Sequence, residues 1–241
     1  MPDDPFRANL SRRHALGLLA VTAGGGVFLP ASVRAQEGSE GLRLLPNAGV
    51  CTITPATTEG PYHFDPVLER SDITEGRKGA GLVVRLQVVD QDCQPIEAAR
   101  VDIWHCDAEG HYSGYPGQGD GRDVDTTGEK FLRGWQRTDR NGIVAFRTIY
   151  PGWYRGRTTH IHFKAFPSDA SVLTGQMFFP DDVSESIYAS VAPYNRRSAK
   201  RDTMNGDDRI LRRAGAGVQS AVRQGESAYE AEMILAIQRD E

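Results

Sequence analysis

Within ten residues, Tyr154-Arg155-Gly156-Arg157-Thr158-Thr159-His160-Ile161-His162-Phe163, the chain gathers a phenol, two guanidinium groups and two imidazoles. Histidines two apart on an extended strand point to one face, because side chains alternate with period 2. His160 and His162 can therefore share a metal ion while Ile161 and Phe163 turn to the core. Two imidazoles alone would hold a transition metal loosely, so further ligands must come from elsewhere in the fold. Tyr154 and Tyr112 each lie beside Gly-rich irregular backbone, where a phenol can be aimed inward. An ionised phenolate is a hard anionic donor suited to ferric iron. His63, His105 and His111 are each isolated and fit hydrogen-bonded or solvent-facing roles.

The elements that must position these groups read as strands. Gly81 to Asp90 alternates, with Leu82, Val84, Leu86 and Val88 on one side and Val83, Arg85, Gln87 and Val89 on the other. Arg100 to Cys106 is a second strand, entered through Cys93-Gln94-Pro95-Ile96. Phe131 to Thr138 and Gly142 to Ile149 read as a further pair about the turn string Asp139-Arg140-Asn141-Gly142. Thr159 to Phe166 and Leu173 to Phe179 follow as strands. Gly41 to Asp65 and Gly110 to Asp125 read as loops, and Asp181 to Val218, rich in Asp, Asn, Arg and Ser, as a long surface excursion with short turns. Ala228 to Ile237 supports both periods, and the alternation of Tyr229, Ala231, Met233, Leu235 and Ile237 favours a strand. With 26 Gly, 13 Pro and 39% hydrophobic residues, the chain is expected to be all-β and to form one domain with a full core. A net charge of -4 offers no basic patch for nucleic acid.

Ser11-Arg12-Arg13-His14-Ala15-Leu16 gives a twin-arginine start, an apolar Gly-rich run follows to Leu29, and Val33-Arg34-Ala35 supplies a small-residue cleavage site. Residues 1–35 are thus expected to be a twin-arginine signal, with export to the periplasm or beyond. The apolar run is shorter than a spanning helix needs and is broken by Gly24-Gly25-Gly26 and Pro30, so no retained membrane span is expected. Of Cys51, Cys93 and Cys106, two can pair in an oxidising compartment, and the sequence does not choose which.

Five strings, Thr58-Glu59-Gly60-Pro61-Tyr62, Val101-Asp102-Ile103-Trp104-His105-Cys106-Asp107-Ala108-Glu109-Gly110-His111-Tyr112, Arg137-Thr138-Asp139, Phe146-Arg147-Thr148-Ile149-Tyr150-Pro151-Gly152 and Thr159-His160-Ile161-His162-Phe163, resemble those of the intradiol ring-cleavage dioxygenases, in the family's order from about Cys51 to Phe179. The resemblance implies a single-domain β-sandwich of the prealbumin-like kind with long active-site loops, spanning residues 36–241. It also implies a non-haem Fe(III) cofactor and, as partners, a catechol-type substrate and O2. The family's ferric ligands fall on Tyr112, Tyr154, His160 and His162, with Tyr154 the ligand that a binding catechol displaces. Arg157 and Gln176 match the family's catalytic arginine and pocket glutamine, and Gly60 and Pro61 fall where its members line the substrate pocket. Trp104 matches an aromatic behind the site. The implied product is a cis,cis-muconic acid.

The link from Tyr154 to His160 is shorter than in the large cytoplasmic members, and little but signal and loop precedes Cys51, where catechol dioxygenases carry a helical dimerisation region. The chain resembles the compact secreted members, and a monomer or small homo-oligomer is expected. Two rival readings are an iron-free β-sandwich binding module, which would have no need of all four donors, and a zinc hydrolase using the His-x-His pair, which would have no use for two phenolates.

Overall fold

The structure, a computed structural model, describes residues 52–167 and 172–238, all of which belong to one folded unit. The signal read at 1–35, and Cys51, lie outside the described residues. Among the described residues, eight strands form two four-stranded sheets. One contains β1 (Gly81–Asp90), β4 (Ile143–Ile149), β7 (Ala221–Gln224) and β8 (Tyr229–Ile237) in the order β4-β1-β8-β7. The other contains β2 (Arg100–Trp104), β3 (Arg133–Arg137), β5 (His160–Phe166) and β6 (Leu173–Phe178) in the order β3-β2-β5-β6. Every strand pair is antiparallel except β1 with β8, which run parallel from Leu82↔Tyr229 to Asp90↔Ile237. The all-β fold expected from the turn-rich composition forms, as the sandwich that the family resemblance implies.

The core follows the period-2 pattern. Leu82, Val84, Leu86 and Val88 of β1, Ala231, Met233, Leu235 and Ile237 of β8, and Ile161, Phe163 and Ala165 of β5 all join one buried apolar cluster. Burying side chains of this size contributes about 1.5–3 kcal/mol each, which fixes the register, since a one-residue slip would turn the whole set outward.

Two expectations are overturned. The strands flanking Asp139-Arg140-Asn141-Gly142 do not pair with each other: β3 pairs with β2, and β4 pairs with β1 in the opposite sheet. Asp139 Oδ1 accepts the amides of Asn141 and Ile143 at 2.8 Å, tightening the turn, and the Gly142 carbonyl accepts the Val88 amide at 2.8 Å. Gly142, at φ 73°, presses so closely on β1 that a Cβ there would stand 2.3 Å from the Val88 oxygen. The chain leaving the turn is thus captured by β1.

The second correction concerns 181–218, which is not a surface excursion. It contains α1 (Asp181–Ser190) and α2 (Arg209–Ala214), and buries Ile187, Tyr188, Tyr194, Leu211 and Val218. The Tyr188 hydroxyl donates to the Pro151 carbonyl at 2.8 Å and lies 2.7 Å from Thr159 Oγ1, so α1 braces the entry to β5. Among the described residues no helix is long and apolar enough to cross a membrane. Cys93 is disulfide-bonded, whereas Cys106 is free and buried.

His105 ties the sheets together at their site end. Its Nδ1–H donates to the Cys106 carbonyl at 2.8 Å, and its Nε2 accepts from Thr148 Oγ1 of β4 at 2.7 Å. Burial pushes its pKa down to about 4. Because the unfolded chain protonates His105 near pH 6.5, its contribution to stability is complete above that pH and is lost as pH falls to about 4, levelling below. The span corresponds to roughly 3 kcal/mol. Urea unfolding at pH 7 and pH 4.5 should therefore show His105→Gln with a smaller pH dependence than the parent protein; equal slopes would refute this role.

Candidate functional site

The site sits on the face of the second sheet that points away from the sandwich core. Cross-strand register sets Arg133, Trp104, His162 and Gln176 side by side on β3, β2, β5 and β6, with His160 one pleat further along opposite Phe178. A row of this kind would be solvated on a bare sheet, but His160 and His162 are only 2% exposed. Loops cover them, which is why the polar side of β5 lies indoors.

Two of the covering loops deliver the phenols. Tyr112 comes from the Gly-rich excursion after β2 and is 1% exposed, while Tyr154 comes from the turn before β5 and is half-buried. His160 Nε2 lies 3.0 Å from the Tyr154 hydroxyl, 3.1 Å from His162 Nε2 and 3.4 Å from the Tyr112 hydroxyl, and the two hydroxyls stand 3.4 Å apart. The four donors predicted from sequence thus converge. His160 Nδ1–H donates to the Thr158 carbonyl at 2.7 Å, which fixes the tautomer and leaves the Nε2 lone pair facing the other donors.

The electrostatics fit a cation at this point. Burial lowers both imidazole pKa values well below the ordinary histidine value, aided at His160 by Arg157 and at His162 by His160, so both rings are neutral and free to act as donors to a cation. Burial also raises both phenols, and their proximity raises Tyr112 further, so neither ionises unaided. A highly charged metal ion reverses that balance. Donors about 2 Å from one ion stand roughly 3 to 3.5 Å apart, as these do. Two phenolates and two neutral imidazoles match the hardness and charge of Fe(III).

The remaining predicted residues gather around this centre. Arg157 donates from Nε to Asp208 Oδ2 at 2.8 Å and from Nη2 to Gln176 Oε1, and its Nη1 lies 3.4 Å from His160 Nε2. Gln176 Nε2 donates to the Thr58 carbonyl at 2.8 Å. Gly60 has φ 74°, and a Cβ there would stand 3.2 Å from His162 Cε1, so the absence of a side chain is what lets the 57–64 segment pass over the imidazole. Pro61, next in the chain, is exposed. The Trp104 ring stacks on His162 at 5.0 Å and 11°.

Several participants carried no sequence signal of their role. Tyr62 stacks on Tyr112 at 4.6 Å, although it stood in a recognised string. Arg133 is buried and donates to the Tyr62 carbonyl, the Ser113 carbonyl and Ser113 Oγ, each at 2.7 Å, pinning together the two loops that meet over Tyr112. Asp208 lies 51 residues beyond the arginine it holds. His111 is not in the cluster; with Asp107 and Glu109 it forms a separate ionisable group, in which Asp107 already accepts the amides of Glu109 and His111.

A family model described as Dioxygenase matches residues 55–195. The chain is 30% identical to catechol 1,2-dioxygenase from Acinetobacter baylyi over 153 residues, covering 60% of this chain and 44% of that protein. It spans about half the length of the first curated relatives it matches. Among solved structures it is similar to an intradiol ring-cleavage dioxygenase from Tetranychus urticae, with 36% identity, a TM-score of 0.70, and coverage of 78% of this chain and 95% of that one. It is also similar to the dioxygenase domain of a dioxygenase carbohydrate-binding protein fusion from Streptomyces sp. SirexAA-E, with 28% identity, a TM-score of 0.58, and coverage of 78% and 99%.

Proposed function

The chain belongs to the intradiol ring-cleavage dioxygenases, and from that premise we propose that it holds Fe(III) on Tyr112, Tyr154, His160 and His162 and cleaves a catechol-type ring between its two hydroxylated carbons. The observation that carries this reading is the convergence of two phenols and two buried, neutral imidazoles, that of His160 with its tautomer fixed by the Thr158 carbonyl, on one point. Ferric iron, when bound, supplies a Lewis acid that draws electron density from the catecholate and lets ring carbon meet dioxygen. Both oxygen atoms enter the product: one C–C bond breaks, two C–O bonds form, and the ring's own electrons reduce O2, so no external reductant is needed.

The chain's residues divide the remaining work. Tyr112, sealed under Tyr62, is the phenol that stays. Tyr154 is half-buried and borders the outside, so it is the one to give way to substrate. Burial raises its pKa, so Tyr154 would carry a proton at Oη whenever a cation does not hold it, and a substrate hydroxyl would be the donor. Arg157, held in a fixed orientation, stabilises negative charge as it develops on the ring. Gln176 keeps that guanidinium in place, and Gly60 lets the 57–64 segment close over His162.

An iron-free binding module has no reason to bury four converging donors, and a zinc hydrolase has none to bury two phenols among them. The twin-arginine start supports the further proposal that the enzyme is exported after folding around its metal and acts outside the cytoplasm. Oxygen uptake against a panel of catechols tests the activity: one O2 consumed per ring and a muconate-type product spectrum are expected. Coloured semialdehydes, the mark of cleavage beside the diol, would overturn the reading.

A further inference from the structure

The turn that carries Tyr154 and Arg157 is fastened from a part of the chain beyond residue 195, where the family match ends. Tyr154 and Arg157 form an isolated bridge across the turn. At its tip Gly156 has φ 79°, with nothing within 4 Å of where a Cβ would lie, and Arg155 is exposed. Packing therefore does little to order it. Hydrogen bonds from one short segment do: Asp202 Oδ1 accepts the Gly156 amide at 3.0 Å, Asn205 Oδ1 accepts from Thr158 Oγ1 at 2.6 Å, and Asp208 Oδ2 accepts both Arg157 Nε at 2.8 Å and the Thr158 amide at 3.1 Å.

We infer that residues 202–208 are a clamp that sets the place of Arg157 and of the turn bearing Tyr154, with Asp208 as the positioning residue for the guanidinium. The inference rests on the dioxygenase reading above. Asp208 is 0% exposed and fully subscribed, its other oxygen capping α2 through the amides of Ile210 and Leu211 at 2.8 and 3.1 Å. Removing one partner of a buried ion pair is far costlier than the pair is worth, so Arg157 and Asp208 hold each other in place. With Nε on Asp208 and Nη2 on Gln176, the planar fork has one orientation left, and Nη1 faces His160 Nε2. The Thr158 amide is bound by the same carboxylate oxygen, and the Thr158 carbonyl accepts the His160 Nδ1 proton. The clamp therefore reaches a predicted metal ligand through one residue.

Asp208→Asn tests this in the full chain, because the amide oxygen still caps α2 while its NH2 opposes the Arg157 donor. In the iron-free protein, hydrogen exchange at the Thr158 amide should quicken by roughly tenfold or more. In the iron-loaded protein kcat should fall roughly 10- to 100-fold with KM within about threefold and with iron content and visible spectrum retained. Adding Asp208→Asn to Arg157→Gln should cost little more than Arg157→Gln alone. Asp202→Ala, at an exposed position, removes the acceptor of the Gly156 amide and of Thr203 Oγ1 but none of the Thr158 bonds, and should quicken exchange at Gly156 while sparing Thr158. Unchanged Thr158 exchange and kcat in Asp208→Asn would overturn the clamp, as would loss of iron, melting temperature and activity in parallel, which would mark a merely structural residue. A parent protein that cleaves no catechol would sink the dioxygenase reading, while the exchange measurements would still decide whether the clamp exists.

Discussion

His160→Ala is expected to purify with little iron and to lose roughly 1,000-fold or more in turnover, because the metal supplies several kcal/mol of charge stabilisation and each 1.4 kcal/mol is tenfold in rate. His160 is chosen because it is the hub: its Nε2 lies 3.0 to 3.4 Å from Tyr154, His162, Tyr112 and Arg157. Its other nitrogen is bound to the Thr158 carbonyl, so no second orientation can compensate. Tyr154→Phe should behave differently, keeping iron on three protein donors, changing the visible phenolate band and slowing turnover. Metal content by atomic absorption, read beside the visible spectrum, separates the two. A His160→Ala protein with the parent's iron content would exclude His160 as a ligand, and an unchanged band in Tyr154→Phe would exclude Tyr154.

Arg157→Gln should retain iron and colour but lose roughly 100- to 1,000-fold in kcat, the scale seen when one preorganised donor is removed from a site of developing charge. The parent guanidinium is already oriented by Asp208 and Gln176, so little reorganisation is left for the moment of reaction. Glutamine keeps a hydrogen-bond donor and discards the charge. Anaerobic titration with catechol should therefore still displace Tyr154 from the metal and shift the spectrum, while oxygen uptake after mixing is slow. If kcat is unaffected and only KM rises, Arg157 binds the substrate and does not stabilise the reacting ring.

What the sequence made legible was whatever a local period could carry. The alternation of Leu82, Val84, Leu86 and Val88 predicted β1 to its ends, and the His160-x-His162 spacing predicted a shared face, because both depend on neighbours two residues away. The family resemblance pointed to Tyr112, Tyr154, Arg157 and Gln176, of which only Tyr112 lies within the five strings. The pairing of β3 with β4 was misread because a tight turn fixes where the chain reverses without fixing which strand it joins; Gly142 against Val88 decides that. The helical tail was hidden by its charge: Val183, Ile187 and Tyr188 make an apolar face in α1 amid Asp, Ser and Glu that read as surface. Asp208 was invisible for a different reason. Its role is to meet Arg157 across 51 residues, and no spacing rule reaches that far.

The parallel pairing of β1 with β8 governs how the molecule can be made. The strand that completes the first sheet lies between β1 and β7, and it comes 145 residues after its partner at the Arg85–Glu230 contact. Once β4 has been made and while the ribosome is still adding residues 150–228, β1 can hold β4 on one side only, and its other edge is an open template for any passing strand. The sheet closes late, at the entropic cost of a very long loop, so folding is slow and the nascent chain is exposed to aggregation until Tyr229–Ile237 emerge.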